Sequence, residues 1–225
     1  MWCVPEINDE FIERMEDVLE LLARKLDPLE PVISLDERPV VLHEDARPGA
    51  PMRPGRVARV DYEYVRWGTA NVFCIVEPLT GRRLTFATKN RKAPAFVRAL
   101  KKIAARYKTA RCIHLMMDNL NIHSRKSVVG VLGELAGQRL WNRFVVHHTP
   151  KHASWLNPAE IEASLVSREC LGRLRISTLV ELIDRVSAWR RSAEAEGRTI
   201  DWKYRVSDAR RTFRYDGLNS VRSQH

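Results

Sequence analysis

Apolar residues recur along this chain with two different periods, and the switches between them mark out its elements. Between Asn8 and about Lys25, Phe11, Met15, Val18, Leu22 and Leu26 fall on one helical face and the remaining positions are largely acidic, which predicts a lead-in helix. The prolines of DPLEP, 27 to 31, end it, because proline donates no backbone hydrogen bond and the residue before it avoids helical angles. VISL, 32 to 35, is a short apolar run that stops at Asp36 and Glu37, the pattern of a buried strand delivering a carboxylate at its C-terminal end. ANVFCIVE, 70 to 77, and RLTFAT, 83 to 88, flank P-L-T-G and predict an antiparallel hairpin.

Pro94, in a first helical turn, opens a helix whose core stripe is Phe96, Leu100, Ile103 and Tyr107. CIHLMMD, 112 to 118, is a second strand ending in aspartate; 124 to 136 reads as a helix and FVVHH, 144 to 148, as a strand. N-P-A-E leads into a helix from about 158 to 171, with Asn157 as N-cap, Pro158 at the first helical position and Glu160 at the third. The capping box Thr178-x-x-Glu181 starts another, with Leu179, Leu182, Ile183, Val186 and Trp189 on its face. From about 199 onward the chain is polar and basic, and the pattern assigns no element.

Strand, hairpin, helix, strand, helix, strand, helix is the ribonuclease H-like order, an α/β mixed sheet with helices on its faces. The expected organisation is a lead-in helix and linker over 1–31, a catalytic domain over 32–195 and a basic tail over 196–225. An insert rich in Arg, Pro and Gly, 38–69, separates the first two strands.

Composition adds a partner class. Lys and Arg number 38 against 28 Asp and Glu, a net charge of +10, which points to a polyanion without choosing among DNA, RNA and acidic membrane. No stretch approaches the run of about 20 apolar residues that a spanning helix needs, and MWCVPEINDE lacks the basic-then-apolar order of a signal peptide, so a cytoplasmic protein with no membrane partner is expected. Cys3, Cys74, Cys112 and Cys170 form no C-x-x-C pair, and three of them lie among apolar neighbours as reduced core thiols do. His148 and His152 have zinc-pair spacing, but Pro150 between them breaks the helix that spacing requires.

The chemistry lies in the carboxylates. Asp36 and Asp118 at the ends of two buried strands, with Glu160 on the first turn of a later helix, could meet at one edge of the sheet. Three clustered carboxylates repel one another, and divalent cations are the usual remedy. Two Mg²⁺ ions about 3.5 to 4 Å apart suit an in-line phosphoryl displacement, in keeping with the basic balance of the chain. Each residue also has a plainer reading: Asp36 as a solvated strand-end acid, Asp118 as a turn former in D-N-L-N, and Glu160 as a helix-capping acid.

SLDERP at 34–39, DYEYVRWGTANVF at 61–73, MMDNLNIH at 116–123, HHTPKHASWLNPAEIEASLVSREC at 147–170 and DWKYRVSDAR at 201–210 cover nearly the whole chain in order. Together they resemble the insertion sequence 630 family of transposases, bacterial relatives of the mariner elements in the DDE superfamily. The resemblance implies that Asp36, Asp118 and Glu160 are the catalytic, metal-holding triad, taking two Mg²⁺ ions, with Mn²⁺ able to substitute, for cleavage at element ends and joining to target DNA. Glu37, Asn119, His123, Trp155 and Asn157 lie in the same motifs as supporting residues. Arg47, Arg53, Arg56, Arg59 and Arg66 fall where mariner relatives carry a loop that clasps a partner subunit, which implies a homodimer, while a solvated excursion is the equal alternative.

Family members usually begin with helix-turn-helix modules, whereas here about thirty residues precede the first catalytic strand and the lead-in helix is acidic. A separate N-terminal helix-turn-helix polypeptide is therefore an expected partner, alongside double-stranded DNA at the nucleoid. Two other functions remain open on sequence alone: another ribonuclease H-like nuclease, and a truncated remnant that binds DNA without transposition activity.

Overall fold

The computed structural model describes residues 7–59 and 61–215; Cys3 and the last ten residues of the basic tail lie outside them. Fifteen residues after Asn8 form α1, Asp9–Ala23, and the Asn8 carboxamide caps it by accepting the Phe11 N–H at 2.9 Å. The sheet is built from β1 (Val32–Asp45), β2 (Tyr64–Glu77), β3 (Arg82–Arg83), β4 (Phe86–Thr88), β5 (Ile113–Met117) and β6 (Phe144–His148). Its strand order is β3-β2-β1-β5-β6, with β4 also paired to β2. β1 runs antiparallel to β2 and parallel to β5, and β5 runs parallel to β6, the mixed ribonuclease H-like arrangement.

Helices α2 (Ala93–Arg106), α3 (Arg125–Leu132) and α4 (Glu134–Trp141) cover one face, packing on Ile33, Leu35, Phe73, Ile75, Ile113 and Leu115. Helix α5 (Ala159–Leu165), the π-helical turn Val166–Leu171 that continues it and α6 (Leu179–Ala195) cover the other over Val40, Leu42, Val72 and Cys74. On that second face α1 and α7 (Val206–Phe213) enclose Val32 and Met116. Strand residues alternate between the two cores because side chains on a pleated strand point to opposite faces in turn.

Four expectations need correction. β1 does not stop at Asp36 but pairs with β2 from Ser34 opposite Val76 to Asp45 opposite Tyr64. What ends near Asp36 is the other neighbour, since β5 pairs with β1 only as far as Ser34; beyond it β1 has a free edge, the setting in which a strand proline such as Pro39 is tolerated. The stretch 38–69 is accordingly two long strands whose tip carries the isolated bridges Ala50–Arg59 and Arg53–Arg56, a hairpin arm more than an excursion. The helix expected over 124–136 is two, because Gly133 takes a left-handed φ of 79° that ends α3 and starts α4. Lastly, α7 forms in the stretch where the hydrophobic pattern assigned nothing: its Ala209 is buried against α1, and Arg210 pairs with the buried Glu16 at 2.9 Å.

Candidate functional site

Alternation along β1 decides which face each acid serves. Ile33 and Leu35 enter the core under α2, so Val32, Ser34 and Asp36 point to the opposite face, toward α1 and α5. Ser34 of β1 stands opposite Met116 of β5, and two more places along both chains bring Asp36 alongside Asp118. Asp118 follows directly on the last residue of β5, and its negative charge reaches Asp36. Glu160 arrives from α5, the helix covering this face, and lines one cleft of about 420 Å³ with Asp36, Arg38 and Arg168.

Of the three expected acids, Asp36 and Glu160 line this cleft, while Asp118 is not part of its lining but stands near enough for its charge to act on Asp36. Burial, then the negative charges of Glu160, Glu37 and Asp118, push the Asp36 carboxyl up from its ordinary 3.8 to about 7, against a backbone N–H bond from Glu37 that lowers it. Metal-free, the cluster therefore holds on to a proton near neutrality. An all-oxygen donor set with surplus negative charge suits a hard divalent cation such as Mg²⁺ or Mn²⁺.

Two buried networks hold the acids in place. Glu37 points to the α2 side, where its carboxylate lies 2.8 Å from His123 Nε2, while His123 Nδ1 lies 2.7 Å from the Asp118 carboxylate. The ring also packs 4.7 Å from Phe96. Burial lowers the tendency of His123 to protonate, but the Asp118 and Glu37 carboxylates outweigh it and bring the imidazole up to about 9. A charged imidazole thus ties Asp118 to the residue next to Asp36.

The second network places Glu160. Asn157 donates to the Leu35 carbonyl at 2.9 Å and accepts the Ala159 N–H at 3.1 Å, joining the backbone beside Asp36 to the start of α5. The helix begins one residue later than its sequence suggests, at Ala159, so Glu160 stands at its second position. Nearby on the same helix, Glu162 is fully buried and bonded to Arg83 at 3.0 Å and to the Thr85 hydroxyl at 2.8 Å, which clamps α5 to β3 and the segment leading into β4.

Arg83 and Glu162 were not singled out by sequence. Nothing local in the sequence signals that each has a partner 79 residues away. Among the supporting residues named from motifs, Trp155 meets Tyr204 edge-on and Phe213 at a tilt and ties the segment before α5 to α7, whereas Asn119 is exposed. His148 and His152 share no helix: His148 ends β6 and His152 takes a positive φ in the following turn. Cys74 and Cys170 are buried thiols as expected, but Cys112 is only half-buried and lies beside a histidine.

A protein-family model described as DDE superfamily endonuclease matches residues 31–183. Nothing among curated proteins matches the sequence. Among solved structures the chain is similar to the Mos1 strand transfer complex, with 18% identity and a TM-score of 0.56 over 88% of this chain and 59% of that one. It is also similar to the Mos1 mariner paired end complex with Mn, at 15% identity and a TM-score of 0.45 over 89% and 67% of the two chains. The Mos1 transposase paired-end complex with left transposon end gives 15% identity and 0.43 over 89% and 66%. This chain spans about three fifths of the first of these, and that likeness establishes a common fold.

Proposed function

The chain belongs to the DDE superfamily endonuclease family, and on that premise we propose that it is the catalytic domain of a DNA transposase of the insertion sequence 630 type, acting on element ends and target DNA. What supports the reading is that Asp36 and Glu160, from different elements, line one cleft and that the charge of Asp118 acts on Asp36. These three would hold two Mg²⁺ ions. When bound, the ions neutralise the charge that builds on the attacking and leaving oxygens of a phosphoryl displacement.

The remaining work falls to the protein. Asp36, within a strand paired along its length, and Asp118, tied through His123, supply ligands whose positions do not shift during the reaction, so little reorganisation is needed. Asn157 and the Arg83–Glu162 pair fix α5 and with it Glu160. Arg38 and Arg168 border the cleft beside the acids and would bind the phosphates flanking the scissile bond, a contact that positions DNA without reading its sequence.

The hairpin arm supports a homodimer. Met52, Val57, Tyr62, Tyr64, Val65 and Trp67 are exposed along it, an apolar and aromatic set that a partner arm would cover. Its base is fixed by Arg175, which pairs with Asp45 at 2.6 Å and donates to the Glu63 carbonyl. No helix among the described residues is long and apolar enough to cross a membrane, in keeping with action on DNA at the nucleoid.

The test is cleavage of duplex DNA carrying the element ends, with Mg²⁺ or Mn²⁺. Nicking and strand joining should occur with either ion and fall by several orders of magnitude in Asp36→Ala, Asp118→Ala and Glu160→Ala. Cutting that persists in all three variants would overturn the reading, and cutting of RNA–DNA hybrids or four-way junctions without joining would assign the fold to a different nuclease.

A further inference from the structure

At the end of β5 remote from Asp118, roughly 13 Å along the strand at 3.3 Å per residue, a second group of metal-ligating side chains converges. Cys112 Sγ lies 3.9 Å from His114 Nε2, and Glu30 Oε2 lies 3.8 Å from the same nitrogen. All three ligand atoms are within 4.8 Å of one another. Zinc bonds of about 2.3 Å to sulfur and 2.0–2.1 Å to nitrogen or oxygen, at tetrahedral angles, set neighbouring ligand atoms roughly 3.3 to 3.6 Å apart. The sulfur–nitrogen and nitrogen–oxygen separations here exceed that spacing by only a few tenths of an ångström.

Hydrogen-bond polarity shows that His114 already aims a lone pair into the group. Arg24 Nη1, which can only donate, lies 2.7 Å from His114 Nε2. His114 Nδ1 lies 2.9 Å from His147 Nε2, and His147 Nδ1 lies 2.7 Å from the Asp17 carboxylate. With a donor-only group at one end and an acceptor-only group at the other, one proton order satisfies the row: His147 donates to Asp17, His114 donates to His147, and His114 Nε2 is left as acceptor. A carboxylate behind a histidine, fixing its tautomer, is the usual support of a metal-ligating imidazole.

The backbone pre-positions the other two ligands. Arg111 N–H bonds to the Leu29 carbonyl at 2.8 Å and His114 N–H to the Pro31 carbonyl at 3.0 Å, so the linker carrying Glu30 is laid along the start of β5. The group is also built for a positive charge, because the Arg24 guanidinium fills it, bonded to both Glu30 and His114. Arg24 is partly exposed and can swing outward, while Arg111 keeps its 2.5 Å bond to the other Glu30 oxygen.

We propose that Glu30, Cys112 and His114 form a second cation site, selective for zinc over magnesium, that takes zinc when Arg24 swings out and staples the linker after α1 to the central strand. A thiolate and an imidazole favour a borderline-soft ion, whereas the carboxylate cleft at the other end of β5 favours a hard one. The two sites therefore do not compete for the same metal. Nothing in this assignment depends on the reaction at the cleft.

Cobalt(II) titrated into the reduced full-length chain is the test, since cobalt bound to a thiolate gives a near-ultraviolet charge-transfer band that an all-oxygen site cannot give. The band should appear with one cobalt, vanish on adding zinc, persist in Asp36→Asn and be lost in Cys112→Ser. Glu30→Gln, which leaves the thiol in place, should weaken cobalt binding, and Asp17→Asn should weaken it by about 10- to 100-fold by releasing the tautomer. Absence of the band in the unaltered chain, its survival in Cys112→Ser, or unchanged affinity in both Glu30→Gln and Asp17→Asn would overturn the proposal.

Discussion

At the scale of single residues, Asp36 carries the largest consequence. Its carboxyl is raised from 3.8 to about 7 by burial and by the surrounding acids, so the folded, metal-free chain binds its proton more tightly than the unfolded chain does. Stability from this group is present below the ordinary value and is lost as pH rises through about 7. Asp36→Asn should therefore stabilise the protein in chelator at pH 8 and leave it little changed at pH 4, with a ceiling of about 4 kcal/mol that residual solvation reduces. Added Mg²⁺ should stabilise the unaltered chain increasingly from pH 6 to 8, because the ion must displace that proton. Thermal unfolding across pH checks both, and a pH-independent difference between the two proteins would remove the repulsion argument. The pair Arg83–Glu162 acts differently: with 1% and 0% of the two side chains exposed, it cannot be broken singly without stranding a buried charge.

At the scale of elements, local chemistry explains the starts and stops and tertiary contact explains the lengths. Asn8 and Thr178 cap α1 and α6 as their side chains predict, and Pro94 sits in the first turn of α2. Leu26, placed on the α1 stripe by its period, lies past the helix end and is half exposed, since the chain there has already turned into the linker. The break at Gly133 lets α3 and α4 fold back on each other, and a Cβ at Gly137 would come within 2.7 Å of the Val129 Cα. Gly137→Ala should accordingly destabilise the protein by roughly 1–3 kcal/mol through forced separation of the two helices, despite alanine's better helix propensity. A denaturant midpoint that rose in this variant would show that the helices do not approach so closely.

At the scale of the whole molecule, a net charge of +10 sets how DNA is held. Non-specific binding to any duplex should weaken steeply between about 50 and 200 mM salt, because each neutralised phosphate releases counterions. Replacing both Arg38 and Arg168 by alanine should lower the slope of log affinity against log salt by about 2, since each removes one phosphate contact. Fluorescence anisotropy on duplexes of unrelated sequence measures it, and an unchanged slope would place the DNA elsewhere on the surface. The exposed apolar arm adds a second requirement at this scale, as such a surface is costly unless a partner covers it.

The sequence by itself determined the order of most elements and marked Asp36, Asp118 and Glu160 as candidate acids at two strand ends and a helix start, because strand periodicity and helix capping are short-range rules that a few neighbouring residues satisfy. The tertiary structure decided what depends on distant partners. That β1 runs past Asp36 follows from β2 pairing along it, and that the site opens there follows from the β1–β5 pairing ending at Ser34. The burial of Arg83 with Glu162, the imidazole of His123 between Asp118 and Glu37, and the meeting of Glu30 with Cys112 and His114 join residues 79, 5, 86, 82 and 84 positions apart. Charged side chains carry the same local signature whether solvated or paired in a core, so only the fold that brings the partners together distinguishes the two.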